Sequence, residues 1–177
     1  MLVLVLLVGC RTPPIPASVT PREYAVYSAW LSQASESLPA DEIVVVRSST
    51  LRLDENSLQY EACLPVRMQG IFSDVPTVTL SELPASHWLN FPDGRSAMLL
   101  SPSDPLPPGR PVQLLSFSRV AFTFSGRDAY VWINRARCTA HGDTNDCEGA
   151  EGHLYHGKRS GSDWAFIETL CQAASPM

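Results

Sequence analysis

The sequence predicts an α+β domain, an N-terminal amphipathic helix packed on an antiparallel β-meander sheet and stabilised by disulfides. Three observations carry that expectation. Between Ser116 and Cys171 apolar residues recur at period two: Val120, Phe122 and Phe124, then Ala129, Val131 and Ile133, then Trp164, Phe166 and Leu170. That is the pattern of strands with one buried face. Gly126 and Gly161 fall between these runs, where tight reversals favour positive φ. A capped helical stripe precedes them, and four cysteines remain for pairing once Cys10 is set aside.

Length and composition fit one domain with a real core. The chain has 177 residues, 45% of them hydrophobic and 18% charged, values that fit a globular chain rather than a disordered one. A net charge of −5 argues against a nucleic-acid binder, which would normally show a basic face. Lys and Arg are scattered, with no run suited to an anionic membrane surface.

At the N-terminus, Leu2 to Gly9 is an apolar stretch of eight residues, too short to span a bilayer and suited to the apolar region of an export signal. Leu7-Val8-Gly9-Cys10 resembles the lipobox of bacterial lipoproteins, although the n-region carries no Lys or Arg. The resemblance implies cleavage before Cys10, thioether linkage of Cys10 to diacylglycerol, and acylation of the new amino group. It divides the chain into a signal peptide (1–9), a lipidated tether (10–19) and a single domain (20–177). In Gram-negative lipoproteins an acidic residue after the cysteine often retains the protein at the inner membrane; Arg11 at that position implies, in a host with an outer membrane, the outer membrane, facing the periplasm or the cell exterior. Arg11 to Ser18 is proline-rich and reads as an extended tether.

Thr20-Pro21-Arg22-Glu23 combines an N-cap, a proline at the first helical position and a capping-box glutamate. Tyr24, Tyr27, Leu31 and Leu38, widened by Val26 and Trp30, form the apolar stripe of a helix over about 21–37. Ile43 to Val46 reads as a buried strand and Thr50 to Leu53 as a more exposed one. From Asp54 to Met98 helix and strand signals are mixed, with a turn at Pro92-Asp93-Gly94. Ser101 to Pro111 holds five prolines and reads as a connector.

In an exported chain Cys63, Cys138, Cys147 and Cys171 point to two disulfides with three possible connectivities. The preferred one joins Cys138 to Cys147 across a short loop and Cys63 to Cys171. The meander is also similar to uncharacterised exported bacterial proteins on two short motifs, Ser118-Arg119-Val120-Ala121-Phe122 and Gly161-Ser162-Asp163-Trp164. That resemblance implies no activity and no catalytic residue.

The segment Cys138 to His156 concentrates the chemistry. Its two thiols and His141, His153 and His156 are enough donors for zinc, but the spacing lacks the short paired ligand turns of zinc modules. Asp143, Asn145, Asp146, Glu148 and Glu151 supply hard oxygens, yet the helix-loop-helix calcium template fails at Cys147 and Glu148. Ser86, His87 and Asp93 provide the residue types of a hydrolase triad without its Gly-x-Ser-x-Gly elbow. His87, beside Trp88, reads as a half-buried histidine. The reading is therefore a lipid-anchored envelope protein with a non-catalytic binding or structural role and no cofactor. Its partners are the membrane, through Cys10, and an envelope protein or small ligand, with no nucleic acid. A cavity between helix and sheet, lined by Tyr24, Tyr27 and Trp132, would mark a binding module. The alternative is a metal-assisted hydrolase built on His141, Asp143 and His153.

Overall fold

The computed structural model describes residues 18–52, 63–64, 75–82, 87–141 and 144–174, with the backbone alone described at 141, 144, 168, 173 and 174. Cys10, the lipidation residue, lies outside them. So do the signal and tether up to residue 17, Ser86, Asp143, and most of 54–74. Helix α1 (Pro21–Ala34) is followed by β1 (Ile43–Arg47), β2 (Met98–Leu100), β3 (Val112–Phe117), β4 (Ala121–Phe122), β5 (Asp128–His141), β6 (Thr144–Ser160) and β7 (Asp163–Ala174). One seven-stranded sheet results, in the order β2-β1-β3-β5-β6-β7, with β4 paired to β5.

This architecture overturns the expected α+β class with a helix on an antiparallel meander. Strands dominate, there is one helix among the described residues, and the sheet is mixed. β1 runs parallel to both β2 and β3, with Val45 opposite Met98 on one side and Leu114 on the other. The physical reason is that β1 is buried between two neighbours, as its uniform Ile-Val-Val-Val run permits. Nothing local to that run encodes the direction of its partners.

α1 follows its sequence closely. The Thr20 hydroxyl accepts from the Glu23 amide at 3.3 Å while the Glu23 carboxylate accepts from the Thr20 amide at 2.9 Å, closing the capping box. The stripe of Tyr24, Val26, Tyr27, Trp30 and Leu31 is buried. It meets Val44, Val46, Leu115, Phe117, Ala129, Val131, Ile133, Trp164 and Phe166 on one face of the sheet. Burying each large side chain there contributes on the order of 2 kcal/mol. The opposite face carries two smaller clusters. One is Ala121, Tyr130, Trp132 and Leu154 with Leu64, and the other is Val45, Val112 and Cys138 with Leu106 from the proline connector.

Ser118 and Arg119 dock the helix to the sheet. Arg119 Nε and Nη2 donate to the two oxygens of Glu23 at 2.6 and 3.0 Å, with both side chains buried. The Val120 amide adds a 3.3 Å bond to Glu23 Oε1. Tyr27 donates to the Ser118 carbonyl at 2.8 Å, and the Ser118 hydroxyl accepts from the Trp132 amide at 2.9 Å. The Ser-Arg-Val motif is thus a structural clip between helix and sheet.

β5 and β6 form a single long hairpin, so the expected loop between Cys138 and His156 is strand along nearly all its length. Cys138 and Cys147 face each other in register and are disulfide-bonded, with Cα atoms 4.0 Å apart. Cys63 and Cys171 form the second disulfide, with a Cα separation of 5.9 Å. Gly126 and Gly161 both take positive φ at the turns, +68° and +64°. At Gly126 a Cβ would lie 2.6 Å from the Arg22 guanidinium, the end of a side chain that can shift, so it is the positive φ that calls for glycine.

The period-two reading fails at two places. Phe124 is fully exposed at the β4–β5 turn instead of buried. Register shifts between Leu154 and Tyr155 and between His156 and Gly157 add residues to β7, so Leu170 reaches the cluster of Tyr130, Trp132 and Leu154 while Trp164 and Phe166 face the helix.

Candidate functional site: a groove at the end of the helix

α1 covers only part of its sheet face. Beyond its last turn the same face continues in polar residues, because strand alternation brings Gln113 of β3, Arg135 and Arg137 of β5, and Glu151, His153 and Tyr155 of β6 to that side. Where helix and exposed sheet meet lies a groove of about 290 Å³. Trp30, Phe166 and Ile167 form its apolar wall, and Gln33, Ser37, Arg135, Tyr155 and Thr169 its polar lining. This is the small end of the range typical of ligand sites, with the usual mixture of an apolar wall and a few directed polar groups. Ile167 is 55% exposed, an uncommon state for isoleucine, and it stands at a register shift in β7.

The polar groups are held in place. Arg135 Nε donates to Gln113 Oε1 at 2.9 Å, and the Gln113 amide nitrogen donates to buried Glu42. Glu42 also pairs with Arg137 Nε at 2.7 Å. Glu42 therefore serves Arg137 and Gln113, and Arg135 forms no ion pair with a carboxylate among the described residues. The Tyr155 ring stands edge-on to Trp30 at 5.4 Å and to Phe166 at 6.2 Å. Burial pushes the Tyr155 hydroxyl above its ordinary pKa, against the opposing pull of Arg135 and a hydrogen bond from Trp30, so the phenol stays a neutral donor at physiological pH. On the far side, the Gln33 amide donates to the Phe166 carbonyl at 3.0 Å and accepts from the Phe166 amide at 3.1 Å. That contact partitions the groove from a second, more open recess of about 560 Å³ between Ala25, Ser28, Ala29 and Ser32 of the helix and the start of β7.

The sequence-derived candidates fall elsewhere. His141 and Thr144 are paired at the tip of the β5–β6 hairpin, whereas His153 lies opposite Ile133. Eight residues of extended strand separate the two histidine positions, about 26 Å. His153 instead meets Glu151 at 3.1 Å. His156, on the opposite sheet face, bonds Asp128 Oδ1 at 3.0 Å and stacks on Tyr130 with ring centroids 4.7 Å apart. The His156 bond holds the Asp128 carboxyl below its usual pKa. Asn145, Asp146, Glu148 and Glu151 are spread along β6, facing Ala140, Thr139, Arg137 and Arg135 respectively. No group of three metal-capable side chains occurs among the described residues. Both pairs of thiols are in disulfides.

His87 is exposed, with a left-handed φ of 45°, so the half-buried histidine is corrected; it is Trp88 that is buried, its indole N–H donating to the Ser81 carbonyl at 2.8 Å. Asp93 is held by Arg95 in the Pro92-Asp93-Gly94 turn. Tyr24 and Tyr27 lie on the helix-covered face and Trp132 on the other, so these three do not line one cavity. Sequence reasoning missed Arg135, Tyr155 and Thr169. The shared face of Arg135 and Tyr155 was readable in principle from alternation along β5 and β6, but the polar segment that follows Arg135 reads as loop, and Thr169 lies on β7 between two register shifts.

Set against known protein families, curated proteins and solved structures, the chain matches none.

Proposed function

We propose that this chain is a lipid-anchored protein of the bacterial cell envelope, held at the outer membrane through Cys10, whose disulfide-braced domain binds rather than catalyses. The observation that carries the binding role is the groove at the end of α1, where Arg135 and the neutral Tyr155 hydroxyl face Trp30, Phe166 and Ile167. A guanidinium that forms no carboxylate ion pair among the described residues, beside an apolar wall, suits a ligand carrying a carboxylate next to an apolar group, such as the free C-terminal end of an apolar peptide. Anchoring is supported by the Leu7-Val8-Gly9-Cys10 resemblance, and an oxidising compartment by the two disulfides. The metal-assisted hydrolase is the weaker reading, because the hairpin register sets His141 and His153 far apart.

The test is a titration of the full chain with short apolar peptides ending in a free carboxylate or an amide, read by Trp30 and Tyr155 resonances. Binding is expected for the acid and not the amide, with at least a tenfold loss in Arg135→Gln. Acid and amide binding alike, or an undiminished Arg135→Gln, would overturn the assignment.

A further inference from the structure

Arginines and a lysine that are scattered in the sequence meet at one end of the fold. The β4–β5 turn and the β6–β7 turn lie at the same end of the sheet, since Asp128 is opposite Lys158 and Ser160 opposite Asp163. The start of α1 joins them there, with Arg22 Nη2 donating to the Gly126 carbonyl at 2.5 Å. Arg22 also stacks on Phe122, 4.0 Å from the ring centroid. Arg127, Lys158 and Arg159 flank it on the two turns, with the Arg159 amide bonded to the Arg127 carbonyl. Arg159 is near enough to push the Arg22 pKa down, second to burial, the sign of like charges held together.

None of these four cations forms an ion pair among the described residues. The acids nearby are Asp128, engaged with His156, and exposed Asp163, while Glu23 is taken by Arg119. At the apex stands Phe124, fully exposed. An aromatic projecting from a cationic rim, on a chain of net charge −5, is a local inversion of the overall charge.

We infer that this end docks on an anionic bilayer, Phe124 entering the headgroup region while Arg22, Arg127, Lys158 and Arg159 meet lipid phosphates. The inference deepens the anchored reading and rests on it. Ser18, where the segment bearing Cys10 joins the fold, leaves from this same end, its carbonyl accepting from Arg119 at 3.4 Å. Residues 10–18 reach at most about 30 Å even when fully extended, which keeps this face near the anchor. Cations at a lipid surface act additively, each worth about fivefold in binding, and a projecting aromatic adds the apolar contact.

The experiment uses the full chain carrying Phe124→Trp on vesicles of brominated phosphatidylcholine, alone or mixed with phosphatidylglycerol. The native Trp30, Trp88, Trp132 and Trp164 are buried, so added quenching reports position 124. A blue shift and quenching on the anionic vesicles alone are expected, with at least a tenfold fall in the docked fraction for Arg127→Glu/Arg159→Glu, its fold checked by circular dichroism. Unshifted emission on anionic vesicles, or equal quenching on both kinds, would overturn the docking face. Anchoring is read separately, from the intact mass of the chain taken from expressing cells. An unacylated Cys10 would sink that reading, whatever the fluorescence at position 124 reports.

Discussion

Breaking the clip between helix and sheet should be among the most costly changes available to this fold. Glu23 accepts five hydrogen bonds, from the Thr20 amide and hydroxyl, Arg119 Nε and Nη2, and the Val120 amide. Its side chain is 3% exposed and that of Arg119 6%. Glu23→Gln keeps the shape but removes the carboxylate charge that faces the buried guanidinium, and Arg119→Met takes the guanidinium from the buried carboxylate. Removing one partner of such a pair costs about 3–5 kcal/mol. In a domain of this size that lowers the melting temperature by about 6–20 °C. Replacing both residues removes both stranded charges, so the double variant should cost at least about 2 kcal/mol less than the two single losses added together. Urea unfolding followed by tryptophan fluorescence under oxidising conditions measures all three. Single losses below about 1 kcal/mol, or strictly additive ones, would refute the view that this pair holds the helix down.

Three further outcomes are expected. Cys63→Ser opens a disulfide whose cysteines are 108 residues apart in sequence, and should lower stability by about 2–5 kcal/mol while exposing a titratable thiol at Cys171; an unchanged midpoint with no new thiol would contradict the pairing. Gly152→Ala should cost about 1–3 kcal/mol, because its Cβ would lie 2.6 Å from Trp132 Cε2 and push the indole off its 2.6 Å bond to Asn134; native stability would mean the ring moves freely. Tyr27, whose pKa is pushed up first by burial and then by Glu23, stays neutral in the fold after an unfolded chain begins to ionise near pH 10. Its contribution is therefore intact below about pH 10 and declines above it, and Tyr27→Phe should flatten that alkaline slope in urea midpoints taken across the range, leaving a smaller part to Tyr155.

Where local rules act alone, the chain could be read directly. Thr20-Pro21-Arg22-Glu23 carries its cap within four residues, and the cap, the buried stripe and the glycine turns all stand where the sequence places them. What could not be read depends on partners distant in sequence. β1 pairs in parallel with strands about fifty and seventy residues away, and its own run of valines suits either direction. Thr144 to Gly152 is polar and glycine-bearing, poor in strand formers, and becomes strand through its ladder to β5 and the Cys138–Cys147 bond. The bulges that send Leu170 to the opposite cluster show in the residue types only as a break in alternation at Phe166-Ile167-Glu168, which does not say which face Leu170 takes. The cationic end was hidden for the same reason, since Arg22, Arg127, Lys158 and Arg159 come from three separate stretches.

A side chain standing in for a missing strand has one more consequence. β7 ends the sheet, and a terminal strand with open rungs invites a second molecule to extend the ladder. By taking both the N–H and the C=O of Phe166, Gln33 fills that rung from within the same chain. At that rung an incoming strand finds both backbone groups of Phe166 already taken.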